Sequence, residues 1–204
     1  MTAQILLIRH AAHAHLGNVL SGRMPGLGLS PQGLSQAKRL AARCSTMSID
    51  GLESSPVQRA VETARAIVAA RPRLTVTTVA NLDELDFGEW SGRSFADLAE
   101  DPRWQTWNAA RETAVAPAGE SMTQAQARAW AHIEATAAQR PGQTIAMVTH
   151  CDIIRGVIAQ VLGLSLDHIL RFDIDPASIS RLAIGPWGAK VLSMNETCPG
   201  VLGP

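Results

Sequence analysis

The chain has 204 residues, 46% of them apolar and 18% charged, with 18 Lys and Arg against 18 Asp and Glu. That is the composition of a globular chain able to bury a substantial core, and it excludes a disordered segment. Balanced charge excludes a generic nucleic-acid or acidic-membrane surface, so attraction for an anion must come from local clustering.

The first element read from the N-terminus is Gln4-Ile5-Leu6-Leu7-Ile8-Arg9, a short apolar run that suits a buried parallel strand. Residues 17–29 are glycine-rich and read as a loop. Ser30-Pro31 then predicts a helix to about Arg43, with Ser30 as N-cap and the proline in the first turn. Asp50 to Ser54 is a weak strand. Ser55-Pro56-Val57-Gln58 is a capping-box pattern that predicts a helix through Arg59 to about Ala70. Thr75 to Val79 alternates and is β-branched, as in a strand.

Residues 81–93 form an acidic, glycine-containing loop, and residues 94–112 read as partly helical. Ser121 opens an alanine-rich helix to about Gln139, and Arg140-Pro141-Gly142 is a turn. Thr144 to Thr149 is the clearest buried strand, followed by His150 and a helix from Asp152 to Leu162. Two late strands, Ser180–Ile184 and Ala189–Ser193, flank Gly185-Pro186-Trp187-Gly188. Alternating strands and helices predict a single α/β domain over residues 1–204, a three-layer α/β/α sandwich with a mostly parallel sheet. In such sheets ligands bind beyond the carboxyl ends of the strands.

No apolar run approaches the roughly 18 residues that span a bilayer. Met1-Thr2-Ala3-Gln4 lacks the basic stretch of a signal peptide. Cys44, Cys151 and Cys198 are odd in number and widely spaced. They read as reduced thiols of a cytoplasmic protein rather than a zinc set.

Two strands end alike, in Ile8-Arg9-His10 and in Val148-Thr149-His150. Each puts a histidine at the carboxyl edge of a parallel sheet, where residues 140 positions apart in sequence can meet. Arg59 follows the Ser55-Pro56 start of its helix. Free N–H groups and a forked guanidinium there suit a phosphate. Trp104, Trp107 and Met122 read as core residues first and as a substrate wall second. His13 and His15 form an H-x-H pair that can ligate a metal, but no third ligand accompanies them. They read as loop histidines near the substrate.

Five blocks occur in order: Arg9-His10 after an apolar strand; Leu29-Ser30-Pro31-Gln32-Gly33; Ser54 to Ala60 through Thr63-Ala64; Leu82 to Gly92; and Val148-Thr149-His150. Together they resemble the histidine phosphatase (phosphoglycerate-mutase-like) superfamily over residues 5 to about 185. The resemblance implies a phosphoglycerate-mutase-like fold. It also implies a phosphomonoesterase that hydrolyses a small phosphorylated metabolite through a phosphohistidine, without cofactor or metal and with no nucleic-acid or membrane partner. It places the nucleophile on His10 and the phosphate pocket on Arg9, Arg59 and His150. The proton donor falls on Glu84, with Asp86 and Glu89 as nearby rivals. Asn18, Ser21 and Gly22 match the later part of the phosphate loop.

The chain departs from the family pattern at three places. Ala11 stands where glycine is usual, Ala12-His13 replaces an acid-and-hydroxyl pair, and Cys151-Asp152 replaces two small residues. Asp152 reads first as a cap of the following helix. Two other activities compete: phosphoglycerate-mutase-type phosphoryl transfer and a catalytically inactive phospho-ligand binding module. The short stretch of residues 93–143 argues against the mutase. Retention of His10, Glu84 and His150 argues against the binding module.

Overall fold

The computed structural model describes residues 1–197; Cys198 lies outside them. The elements run β1 (Ala3–Arg9), α1 (Pro31–Ser45), β2 (Gly51–Ser54), α2 (Gln58–Ala70), β3 (Val76–Thr78), α3 (Phe95–Ala99), α4 (Pro102–Ala109), α5 (Met122–Gln139), β4 (Thr144–Thr149), α6 (Cys151–Leu162), β5 (Ile179–Gly185) and β6 (Gly188–Glu196). Short 3-10 turns at Ala80–Leu82 and Gly88–Trp90 punctuate the acidic loop. Among the described residues no helix is long and apolar enough to cross a membrane.

The six strands form one sheet in the order β3-β2-β4-β1-β5-β6. β1, β2, β3 and β4 run parallel, and the β5–β6 hairpin adds antiparallel strands at one side. Strand residues alternate between two cores, as the period of two requires. Ile5 and Leu7 of β1 join Ile145 and Met147 of β4 beneath α5 and α6. Leu6 and Ile8 join Ala146 and Val148 beneath α1 and α2. The result is three layers, helices on both faces of a mostly parallel sheet. Trp90, Trp107 and Met122 are fully buried in the first core, with Trp104 packed against it. The tryptophans stack edge to face at 5.2 Å (Trp90–Trp104) and 5.9 Å (Trp90–Trp107), so they are packing residues rather than a substrate wall.

Helix starts follow local chemistry, with two exceptions that matter for function. Ser30 accepts from Gly33 N, and Ser121 forms a reciprocal capping box with Gln124. Ser55, however, does not cap α2. The N-cap is Val57, whose side chain has no atom to cap with; the Ser55 hydroxyl accepts from Val57 N (3.2 Å), ahead of the helix, and also meets His150. Nor does Asp152 cap α6: it lies one residue inside the helix, after His150 in the cap position.

The segment after β1 is clamped between the two helices of the second core. Ala11 N donates to Thr63 Oγ1 (3.0 Å), and Ala12 N donates to Gln36 Oε1 (2.9 Å). The Ala12 carbonyl lies 1.9 Å from where a Cβ on Gly33 would stand. Ala11 is not among the residues with positive φ, so alanine in place of glycine strains nothing at that position. Gly33→Ala is expected to force α1 away from the His10 loop. Overpacking of this kind costs about 1–3 kcal/mol, to be read as a lowered unfolding free energy in urea titrations.

Candidate active site

Parallel pairing brings three chain segments to one edge of the sheet. Arg9 is in register with Thr149, and Ser54 with Val148. Hydrogen bonds extend the ladder past the strand ends: His10 N donates to Thr149 O, and Ser55 N to Val148 O, both at 2.9 Å. His10, Ser55 and His150 therefore stand side by side. The His10 and His150 rings lie 5.1 Å apart at 61°.

Arg59, on the first turn of α2, is 1% exposed and reaches into this cluster. Its Nε donates to His10 Nε2 (3.1 Å), while its Nη2 donates to Gly22 O (2.8 Å) and meets His150 Nδ1 (3.2 Å). Glu84 Oε2 is 3.6 Å from Nη2, a loose partner for so deeply buried a cation. Arg59 Nη1 and Arg9 Nε are buried with no hydrogen-bond partner. Unpaired buried guanidinium donors are costly and mark the place of a missing anion.

The histidine protons are fixed by neighbours, as assigned from the hydrogen-bond network. His10 Nδ1–H donates to the Ala11 carbonyl (2.8 Å), leaving Nε2 with its lone pair. Burial first, then Arg59 and Arg9, hold this imidazole well below the ordinary histidine range, so it is neutral. His150 is held well below its ordinary value by burial first, then by Arg59 and His10, with Arg128 and Arg9 adding to it. Neutral His150 satisfies its contacts with the proton on Nε2, donated to Ser55 Oγ (2.8 Å) while Nδ1 accepts from Arg59. The Ser55 hydroxyl then donates to Asp83 Oδ1 (3.3 Å). Ser55 is thus a site residue that reads as a cap in the sequence. Its place directly after β2, equivalent to that of the two histidines, is the signal that points to it.

Glu84 is 9% exposed, with Oε1 accepting from Leu85 N (3.0 Å) and Oε2 lying 3.4 Å from His150 Nδ1. Burial, then the Asp152 charge, push its carboxyl up to about 7 against the opposing pull of Arg59. Its backbone is held from behind. Arg23 Nε and Arg128 Nη2 both donate to the Glu84 carbonyl (2.7 and 3.1 Å), and both arginines bond the Glu120 carboxylate. Asp86 spends its carboxylate on Gly88 N, and Glu89 pairs with Arg103 at the surface. Neither lines the cavity.

That cavity, about 120 Å³, is lined by Arg9, His10, Arg59, Glu84, Phe87 and Asp152 among others, Ser21 and Gly22 included. Asn18 is exposed and outside the lining; Leu16 and Gly17 occupy the mouth instead. Of the three loop residues singled out in the sequence, Ser21 and Gly22 are in the lining and Asn18 is not. His13 is 7% exposed and lies 5.4 Å from the His10 ring, with burial as the first cause lowering it to about 4. The His15 ring stands 6.5 Å from that of His13, and among the described residues neither belongs to a group of three metal-ligating side chains. Ligand atoms of His10, Glu84 and His150 do lie within 4.8 Å of one another. The Arg59 guanidinium already fills the space between them, so the chemistry of the set suits an anion rather than a divalent cation.

The electrostatics of Glu84 carry a stability consequence. Its folded value lies above its unfolded one, so its contribution is present at low pH and is lost as pH rises through about 7. Glu84→Gln removes the buried charge. The variant is expected to be more stable than the parent at pH 8, by up to about 3 kcal/mol, with the gap closing below about pH 4.5. Denaturant unfolding at the two pH values checks this.

The comparisons with known proteins agree with this geometry. The model of the histidine phosphatase superfamily (branch 1) matches residues 5–197. Phosphoserine phosphatase 1 of Hydrogenobacter thermophilus is 30% identical, covering 96% of this chain and 93% of the relative. The adenosylcobalamin/alpha-ribazole phosphatase of Escherichia coli is 26% identical, covering 97% and 98%. The solved structure of a mycobacterial glucosyl-3-phosphoglycerate phosphatase superposes with a TM-score of 0.85 at 21% identity, covering 97% of this chain and all of that one. The arrangement of His10, Arg59, Glu84 and His150 thus sits within a chain that belongs to the histidine phosphatase superfamily.

Proposed function

We propose that the protein hydrolyses a small phosphorylated metabolite through a phosphohistidine on His10, without a metal. The observation that carries this reading is the pair of unpartnered, buried guanidinium donors, Arg59 Nη1 and Arg9 Nε, beside a histidine whose Nε2 lone pair is free of protons. A phosphoryl dianion supplies the missing acceptors and places phosphorus in front of that lone pair.

Attack by Nε2 forms the N–P bond as the ester P–O bond breaks. Arg9 and Arg59 stabilise charge on the equatorial oxygens, while neutral His150, its N–H given to Ser55, holds Nη2 of Arg59 in place. Glu84, protonated because its value stands at about 7, gives its proton to the departing alcohol. As a carboxylate it then takes a proton from water, which attacks the phosphohistidine and releases phosphate. Fixed N–H donors do here what a cation does in metal-dependent phosphatases. Curated relatives named for phosphoserine and alpha-ribazole phosphatase support a small-metabolite substrate. Ser21 and Gly22 complete the phosphate wall in this reading, Gly22 through its contact with Arg59.

Two experiments test the roles. His10→Ala is expected to lose several orders of magnitude of phosphatase activity, since the covalent route is gone. Rapid-quench mass spectrometry of the parent should find acid-labile phosphate on His10, and an adduct on any other residue refutes the assignment. Glu84→Gln is expected to lose about 10²–10⁴-fold on an alkyl phosphate but far less on p-nitrophenyl phosphate, whose leaving group needs no proton. Equal losses on both substrates would make Glu84 a positioning residue instead.

A further inference from the structure

We propose that Asp152 selects substrates by the charge of the leaving group, favouring alcohols that carry a cationic amine over those that carry a carboxylate. The inference rests on the phosphomonoesterase reading above and adds the class of group that leaves.

A carboxylate in the lining of an anion pocket is out of place on electrostatic grounds, and the one ion pair it makes among the described residues is a loose one. Asp152 lines the cavity and accepts no hydrogen bond among the described residues. Its nearest cation is Arg155, at 3.9 Å, and its side chain is 21% exposed. Arg155 is committed elsewhere, to Asp173 and to the Phe172 carbonyl, both at 3.2 Å.

The charges then sum simply. Two guanidinium groups, Arg9 and Arg59, match the roughly two negative charges of a bound phosphoryl group. The imidazoles of His10, His13 and His150 are uncharged, and the Glu84 carboxyl is protonated when the enzyme is ready to act. Arg155 offsets only one of Asp152 and Asp173. With phosphate in place, one negative charge is left over among Asp152, Asp173 and Arg155, and of the two carboxylates only Asp152 lines the cavity that the leaving alcohol must share.

A second observation marks the mouth as a place where substrate atoms belong. His13, also in the lining and 7% exposed, has a buried Nδ1 with no partner. An uncharged imidazole offers the leaving group a hydrogen bond without cancelling the Asp152 charge. A position near a helix N-terminus explains why an acid is tolerated in the first turn of α6. It does not explain a carboxylate facing a cavity.

The test is a charge series on one two-carbon scaffold: 2-aminoethyl, 2-hydroxyethyl and carboxymethyl phosphate. For the parent, kcat/KM should fall in that order, with at least about a tenfold span between the ends. In Asp152→Asn the span should shrink to within about threefold. Intrinsic differences among the leaving groups cancel in the ratio of variant to parent, as does any change at Glu84 shared by all three esters. A parent that shows no such order overturns the proposal without need of the variant. So does a variant that keeps the full span, or one that loses the same factor on every ester, which is the mark of a structural role. A parent inactive on all three and on p-nitrophenyl phosphate refutes the phosphatase reading itself, and this inference falls with it.

Discussion

The site is organised around the buried guanidinium of Arg59. Within 3.6 Å it meets the ring of His10, the ring of His150, the carbonyl of Gly22 and the carboxyl of Glu84, four groups from four separate chain segments. A cation this deep is expensive to hold, and burial weakens its hold on its proton. Its presence forces the rest of the arrangement. The neighbouring imidazoles must stay neutral, because a second or third positive charge would have no compensation. The loop carrying Gly22 must fold inward to give up its carbonyl, with Gly22 in the left-handed region at φ +47°. The arginine is accordingly the frame on which nucleophile, acid and loop are measured against one another.

A second ring of residues carries that frame. Glu120 receives Arg23 and Arg128, and those arginines grip the backbone of the acidic loop at Asp83 and Glu84. Gly119 approaches Asp86 O so closely that a Cβ there would stand 2.2 Å from it, which ties the residue before Glu120 to the same loop. Asp83 completes the connection from the other side by accepting from Ser55, the hydroxyl that orders His150. Acid and imidazole are thus oriented by one continuous set of hydrogen bonds.

Much of this is legible in the sequence, for a physical reason. Strand periodicity, proline and serine at helix starts, and histidine at strand ends are local signals, and they locate β1, β4, α1, α5 and the two histidines directly. What the sequence conceals is competition for a single side chain. Ser55 matches a capping pattern, yet its hydroxyl goes to His150 and Asp83, leaving α2 with no side-chain cap. Asp152 has the chemistry of a cap but sits two positions too far along. Asn18 is polar and in the right loop, but the turn at residues 13–19 carries it to the surface and brings Leu16 to the mouth. Loop register depends on how the chain turns back, and no residue spacing encodes that.

The two strands that present His10 and His150 are direct neighbours in the sheet although about two-thirds of the chain lies between them. Their pairing is therefore among the most entropically demanding contacts the molecule makes, and contacts of that kind form slowly. A slip of one residue between β1 and β4 would also move every side chain of one strand from its own core to the opposite one. A refolding intermediate with native helices but without this pairing would have no catalytic centre at all. Recovery of turnover during refolding would then report the joining of the chain's two distant halves, as a kinetic clock that is blind to helix formation.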